Sequence, residues 1–275
     1  MSTESAVTLR TLDGLHLAGT FVTPEGATEQ AVVLVHGGGV TREEGGFFTR
    51  LAVGLGDAGI ASLRYDQRGH GESGGRMEEA SLTAYLNDIR VTLADVRRRS
   101  GATRVSLLGA SFGGGLAAYY AARGPDTLSR VVLLNPNLNY KDRYIDQKPH
   151  WSGDFLSDEA AARLSADGFL QHSATVRHSR ALLNEVFWLR PWEVIGEITA
   201  PTLIVHGTKD TFVPVEVSRA AAQQFRVEHR LVEIEGAQHG FAVHEDPQYL
   251  NPQTQQWQAF VIETVVDWVK EPALG

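Results

Sequence analysis

The chain contains no cysteine. That excludes a disulfide scaffold, a thiolate nucleophile and any zinc or iron–sulfur centre held by thiolates. It also lacks a basic surplus: 25 Lys and Arg stand against 33 Asp and Glu, a formal net charge of −8. Proteins that bind nucleic acid neutralise phosphates with a basic face, so nucleic acid is not an expected partner. No run approaches the roughly 20 apolar residues of a membrane span. The start, Met1-Ser2-Thr3-Glu4, has neither the basic nor the apolar region of a signal peptide. The chain is therefore expected to work in the cytoplasm, away from membranes. It has no internal repeat and no low-complexity segment.

What is there suits a globular protein. Of 275 residues, 43% are hydrophobic and 21% charged, enough for a large core. The 28 glycines follow no collagen period and point to many tight turns.

Short continuous apolar runs at 31–35, 60–65, 105–109, 131–134 and 202–205 are rich in Val, Ile and Leu. They suit strands buried on both faces, as in a parallel sheet. Segments with helical spacing, at 47–58, 82–99, 114–123 and 215–225, alternate with them. A last helix is expected over 254–270. The alternation predicts a single α/β domain over 1–275, with a mostly parallel, doubly wound sheet. Asp13-Gly14, between runs at 6–9 and 15–22, is a hairpin signal, so the sheet should begin antiparallel.

The rhythm stops after Asn135-Pro136-Asn137 and resumes at Pro201. Residues 137–198 read as a lid inserted after the sixth strand, with helical patches at 157–166 and 180–188. Its aromatic residues can wall a ligand pocket or fill the lid's own core. Trp151, Phe155, Phe187 and Trp188 are the pocket candidates.

Gly109-Ala110-Ser111-Phe112-Gly113 fits G-x-S-x-G between a strand and a helix. Such a sharp strand–turn–helix exposes the serine Oγ, and the flanking glycines remove side chains that would clash. A serine hydroxyl needs a base, and the base needs an orienting acid. In this order, Asp210 follows the strand at 202–205, and His239 lies in the loop before the last helix. Ser111, Asp210 and His239 are therefore the expected nucleophile, acid and base. Glu235 and the pair His244 with Asp246 fit less well, and Asn135 cannot act as a carboxylate. The strand at 31–35 ends in His36-Gly37-Gly38-Gly39, where adjacent glycines let amides approach a substrate oxygen. The Gly38 and Phe112 N–H groups are the expected oxyanion donors. His36 is expected to brace the loop rather than act as a base.

Together these residues resemble the α/β-hydrolase superfamily over nearly the whole chain. Asp66-Gln67-Arg68-Gly69-His70-Gly71-Glu72-Ser73 is similar to the D-x-R-G-x-G-x-S loop that follows the fourth strand there. Among subgroups the chain resembles the cinnamoyl/feruloyl esterase-like hydrolases, in the position of the lid and in the Ser-Asp-His order. It departs from many feruloyl esterases at Gly38, where those carry a bulkier residue.

The expected reaction is hydrolysis of a carboxylic ester through an acyl-enzyme, with a small-molecule ester or acyl substrate and neither metal nor organic cofactor. A thioesterase, a peptidase or amidase, an acyltransferase and a carbon–carbon bond hydrolase use the same scaffold and stay open. So do a hydrolase-like ligand receptor and a homodimeric assembly.

Overall fold

A computed structural model describes residues 2–244 and 246–272. Residues 1, 245 and 273–275, which the expected 1–275 span includes, lie outside the described residues. Strand β1 (Thr3–Arg10) turns back as β2 (His16–Thr23), with Gly14 at φ +90° in the connection. Then β3 (Gln30–Val35), α1 (Phe47–Asp57), β4 (Ala61–Tyr65), α2 (Leu82–Ser100), β5 (Arg104–Ala110), α3 (Ser111–Arg123) and β6 (Val131–Leu134) alternate.

The segment that follows breaks the alternation. After a π-helical turn (Asp142–Asp146) come β7 (Trp151–Ser152), β8 (Phe155–Leu156) and α4 (Asp158–Asp167). Next are β9 (Phe169–Gln171), β10 (Arg177–Ser179), α5 (Arg180–Glu185) and α6 (Pro191–Val194). The strand–helix order returns with β11 (Thr202–Gly207), α7 (Val215–Ala222), β12 (His229–Ile234) and α8 (Pro252–Lys270).

Eight strands form one sheet in the order β1-β2-β4-β3-β5-β6-β11-β12. Only the β1–β2 and β2–β4 pairs are antiparallel. The expected mostly parallel, doubly wound sheet with an antiparallel start is therefore present. The continuous apolar runs explain it. In β3, Ala31, Val33 and Val35 face one apolar cluster, while Val32 and Leu34 face another. The first cluster holds Leu82, Ile89 and Leu93 of α2 with Leu116 of α3. The second holds Phe48 and Leu51 of α1 with Val261 and Trp268 of α8. Each fully buried Val or Leu contributes about 1.5–3 kcal/mol relative to exposure.

Two patches in the 137–198 segment form helices close to where helical spacing predicts them. Ser157 caps α4 by accepting from the Ala160 N–H, and Ser179 caps α5 by accepting from the Leu182 N–H. The two small hairpins, β7–β8 and β9–β10, are not expected from the sequence. The segment is not detached from the sheet: Leu138, Tyr140, Ile145 and Val186 join the first core cluster. Because β3, β5, β6, β11 and β12 run parallel, their C-terminal ends open on one edge. That is where open α/β sheets hold their ligands.

Candidate active site

Strand β5 ends at Ala110 and α3 begins at Ser111 itself, three residues earlier than helical spacing predicts. Ser111 sits at φ +50°, a left-handed conformation that costs a non-glycine residue about 1–3 kcal/mol. The neighbours enforce it. A Cβ on Gly109 would stand 2.2 Å from the Gly113 oxygen, and one on Gly113 would stand 2.4 Å from the His36 oxygen. No residue but glycine fits either place, so β5, the first turn of α3 and the end of β3 close on one another around Ser111.

The three residues expected from chain order come together. The Ser111 hydroxyl donates to Nε2 of His239 at 2.9 Å. Nδ1–H of His239 donates to Oδ2 of Asp210 at 2.6 Å. Asp210 has a fully buried side chain. Its Oδ1 accepts from the Phe212 and Val213 N–H groups at 2.8 and 2.9 Å, which fixes the carboxylate independently of the histidine. A second imidazole, His206, lies 3.4 Å from Oδ2. Burial alone would raise the Asp210 pKa. Hydrogen bonds from His206 and His239 outweigh burial and hold the carboxyl well below the usual carboxylate range. An ionised Asp210 keeps the proton on Nδ1 of His239 and leaves Nε2 free to accept from serine. Asp246, one of the alternative acids, instead accepts from the Leu250 and Asn251 N–H groups. Asn135 uses its Oδ1 to accept from the Gly207 N–H at 3.0 Å, tying β6 to β11.

The glycine run after β3 lies over the serine turn. Cβ positions built on Gly37 and Gly38 fall 3.4 Å from Ser111 Cβ and 3.5 Å from Phe112 Cβ. Phe112 is in the first turn of α3, where N–H groups have no intrahelical acceptor. His36 is fully buried and burial pushes its pKa down to about 3, so it is neutral. Its Nε2 accepts from the Gln67 N–H at 2.9 Å, and its Nδ1–H donates to the Gly37 oxygen at 2.7 Å. One residue of this loop's support goes unnoticed in the sequence: Glu44, at φ +46°, accepts the Gly37 N–H at 2.7 Å. Burial pushes its carboxyl up to about 7, only partly offset by that hydrogen bond and by the charge of His239.

A cavity of about 200 Å³ opens at Ser111, with Gly38, Phe112, Tyr144, Val176, Phe212 and His239 among its walls. The four aromatic residues expected there do not line it. Trp151 and Phe187 have their rings 6.2 Å apart and pack, half-buried, on the core cluster beneath the segment. Phe155 is 79% and Trp188 86% exposed on its outside. For Trp151 and Phe155 the reason is a small hairpin, while Phe187 and Trp188 follow α5. The loop joining β9 to β10 turns Val176 toward the cavity, while β7–β8 carries its aromatics away from it. Phe212, whose ring lies 5.3 Å from that of His239, shares a loop with Asp210 and was within reach of sequence reasoning. Val176 carried no signal.

Among the described residues no group of three or more acidic or histidine side chains could hold a metal ion. Among the same residues no helix is long and apolar enough to cross a membrane.

Comparison with known proteins gives two family matches. Residues 26–158 match the family model described as "Serine aminopeptidase, S33", and residues 187–271 match the dienelactone hydrolase family. The monoacylglycerol lipase of Mycolicibacterium smegmatis is 30% identical over 238 residues, covering 79% of this chain and 83% of that protein. The non-heme chloroperoxidase CPO-A1 of Kitasatospora aureofaciens is 26% identical over 217 residues, covering 68% of this chain and 78% of that one. Among solved structures, Est1E from Butyrivibrio proteoclasticus with ferulic acid bound superposes with a TM-score of 0.74. It is 23% identical and covers 94% of this chain and 99% of its own, a likeness of fold.

Proposed function

The chain belongs to the α/β-hydrolase superfamily, and on that premise we propose that it is a serine hydrolase of small-molecule carboxylic esters. The observation that carries the reading is the line of hydrogen bonds from Ser111 through His239 to Asp210, at 2.9 and 2.6 Å. Relatives named as lipases of monoacylglycerol favour an ester as the bond cleaved.

In this reading Ser111 Oγ attacks the ester carbonyl while His239 Nε2 takes its proton. Asp210 holds the imidazole in the tautomer that can accept, and stabilises the cation that forms. The Gly38 and Phe112 N–H groups bind the oxyanion; losing one such donor usually costs about 10²–10³ in kcat. His239 returns the proton to the leaving alcohol, and water, activated by the same base, cleaves the acyl-enzyme. No step calls for a cofactor. Residues 137–198 act as a lid on one hydrolase domain, with Arg143, Tyr144, Val176 and His178 among its contributions to the pocket.

A second reading, peptide or amide hydrolysis, is favoured by the aminopeptidase family match over 26–158. One assay separates the two and tests both. A fluorophosphonate should label wild type at Ser111, with p-nitrophenyl esters turned over faster than aminoacyl p-nitroanilides. Labelling at another residue, or none, overturns the nucleophile. Faster turnover of the anilides moves the substrate to peptides.

A further inference from the structure

The cavity at Ser111 carries a cation with no acid beside it. Arg143 lies in the π-helical turn Asp142–Asp146, a rare geometry that recurs at functional sites, and it reaches the cavity. Its guanidinium carbon stands 5.8 Å from the centroid of the Phe212 ring, the ring that lies against His239. The cation is thus one aromatic ring away from the base. Its side-chain hydrogen bond goes to a neutral amide oxygen, Gln147 Oε1, at 3.3 Å. The acids on its own turn are engaged elsewhere: Asp142 accepts from Gln147 and Asp146 from Lys141. The other guanidinium on the cavity, Arg177, is paired with Glu78.

A second cation stands close behind. Lys148 lines a small recess that shares Tyr144, His172 and His178 with the cavity. Burial lowers its ammonium pKa, and the charge of Arg143 lowers it further. The imidazoles of His172 and His178 lie 4.7 Å apart. Burial and the neighbouring cations keep both neutral, and neutral imidazoles can still donate hydrogen bonds. One cation and two imidazole donors therefore line the pocket, with a second cation in the adjoining recess and no carboxylate lining either, in a chain whose formal net charge is −8. A guanidinium fork matches a carboxylate or a phosphate in shape as well as in charge.

We propose that the substrate is an ester that also carries an anionic group, a carboxylate or a phosphate, and that Arg143 is the residue that recognises it. This rests on the ester-hydrolase reading of the same site. The test uses matched ester pairs. Mono-p-nitrophenyl glutarate against p-nitrophenyl pentanoate places a carboxylate on the acyl side. The butyrate ester of 4-hydroxybenzoate against that of 4-hydroxybenzamide places it on the alcohol side. The butyrate ester of 4-hydroxyphenyl phosphate supplies the phosphate arm, against the same benzamide ester.

In at least one pair the charged member should show a kcat/KM about tenfold or more above its neutral partner at low ionic strength. Arg143→Gln should bring that ratio to near one, and Arg143→Lys should keep part of it. Lys148→Gln should lower it less than Arg143→Gln. Arg163→Gln, which removes one charge from the outside of the same segment, should leave the ratio alone. Equal turnover in every pair overturns the proposal, and so does a preference that survives Arg143→Gln; both leave ester hydrolysis standing. If no ester is hydrolysed and fluorophosphonate does not label Ser111, the ester-hydrolase reading falls, and the proposal with it.

Discussion

The carboxylate of Glu44 holds the Gly37 N–H at 2.7 Å, one residue before the amide assigned to the oxyanion hole. Nothing in Thr41-Arg42-Glu43-Glu44-Gly45-Gly46 marks the second glutamate as different from the first. Its position makes it a titrating support. Burial raises the folded pKa from an ordinary 4.5 to about 7, so the native state favours the protonated form. The stability it lends is fully present below about pH 4.5 and is lost as pH rises through 7. Glu44→Gln mimics the protonated acid and keeps an oxygen for Gly37. We expect its Tm to exceed that of wild type at pH 8, with the gap shrinking toward pH 4.5. Thermal melts at the two pH values check this; a gap independent of pH would show that the carboxyl does not titrate where its burial places it.

Ser111→Ala should lower kcat by a factor on the order of 10⁴ to 10⁶ with substrate binding near normal. Retention of a tenth of the activity would remove Ser111 as nucleophile. Ser111→Gly should be equally inactive but more stable than Ser111→Ala, by about 1 kcal/mol, because glycine adopts φ +50° without strain. Denaturant titration of the two variants tests the strain separately from the chemistry.

Asp210→Asn should cost about 10²–10⁴ in kcat by favouring the wrong His239 tautomer. Here the linkage runs opposite to that of Glu44. The folded carboxyl lies below its ordinary 3.8, so its contribution is present above that pH and is lost as pH falls through the folded value. Wild type should therefore lose stability more steeply than Asp210→Asn on acidification below about pH 4. Parallel acid limbs for the two proteins would contradict the assigned hydrogen bonds.

The pocket wall gives a contrast between two aromatics. Phe212→Ala should cost about 1–3 kcal/mol in transition-state binding of a bulky ester and much less for an acetate. Trp188→Ala, at a residue 86% exposed, should leave the bulky-to-small ratio of kcat/KM unchanged and alter stability by no more than about 0.5 kcal/mol. If Trp188→Ala shifts the ratio as far as Phe212→Ala does, the wall lies elsewhere.

The strand–helix order was legible because buried parallel strands leave unbroken runs such as those at 31–35 and 131–134. Ser111 was legible because steric closure at Gly109 and Gly113 forces glycine into a recognisable spacing. Asp210 and His239 followed from chain order and from their places after strands. The pocket wall was not legible. Trp151, Phe187, Trp188 and Tyr144 look alike as aromatic residues in an irregular stretch, and strands of two or three residues leave no period to read. The rings that line the cavity, Phe112, Tyr144 and Phe212, come from α3, the π-helical turn and the loop after β11, not from the most aromatic stretch of the segment.

Ser111 and His239 are 128 positions apart and meet at 2.9 Å. At about 5–20 residues per second, a ribosome needs roughly 6 to 26 seconds to travel from one to the other. During that interval the serine turn can be assembled on β3 and β5 while its base does not yet exist. On the proposed mechanism, a nascent chain should therefore not react with esters or ester-like inhibitors until β11 and β12 have docked at the far side of the sheet. In refolding from denaturant the whole chain is present from the start, so any lag there reports only the docking of β11 and β12. Covalent labelling of Ser111, sampled over time, would act as a clock for the closing of the sheet's last edge, distinct from the collapse of its centre.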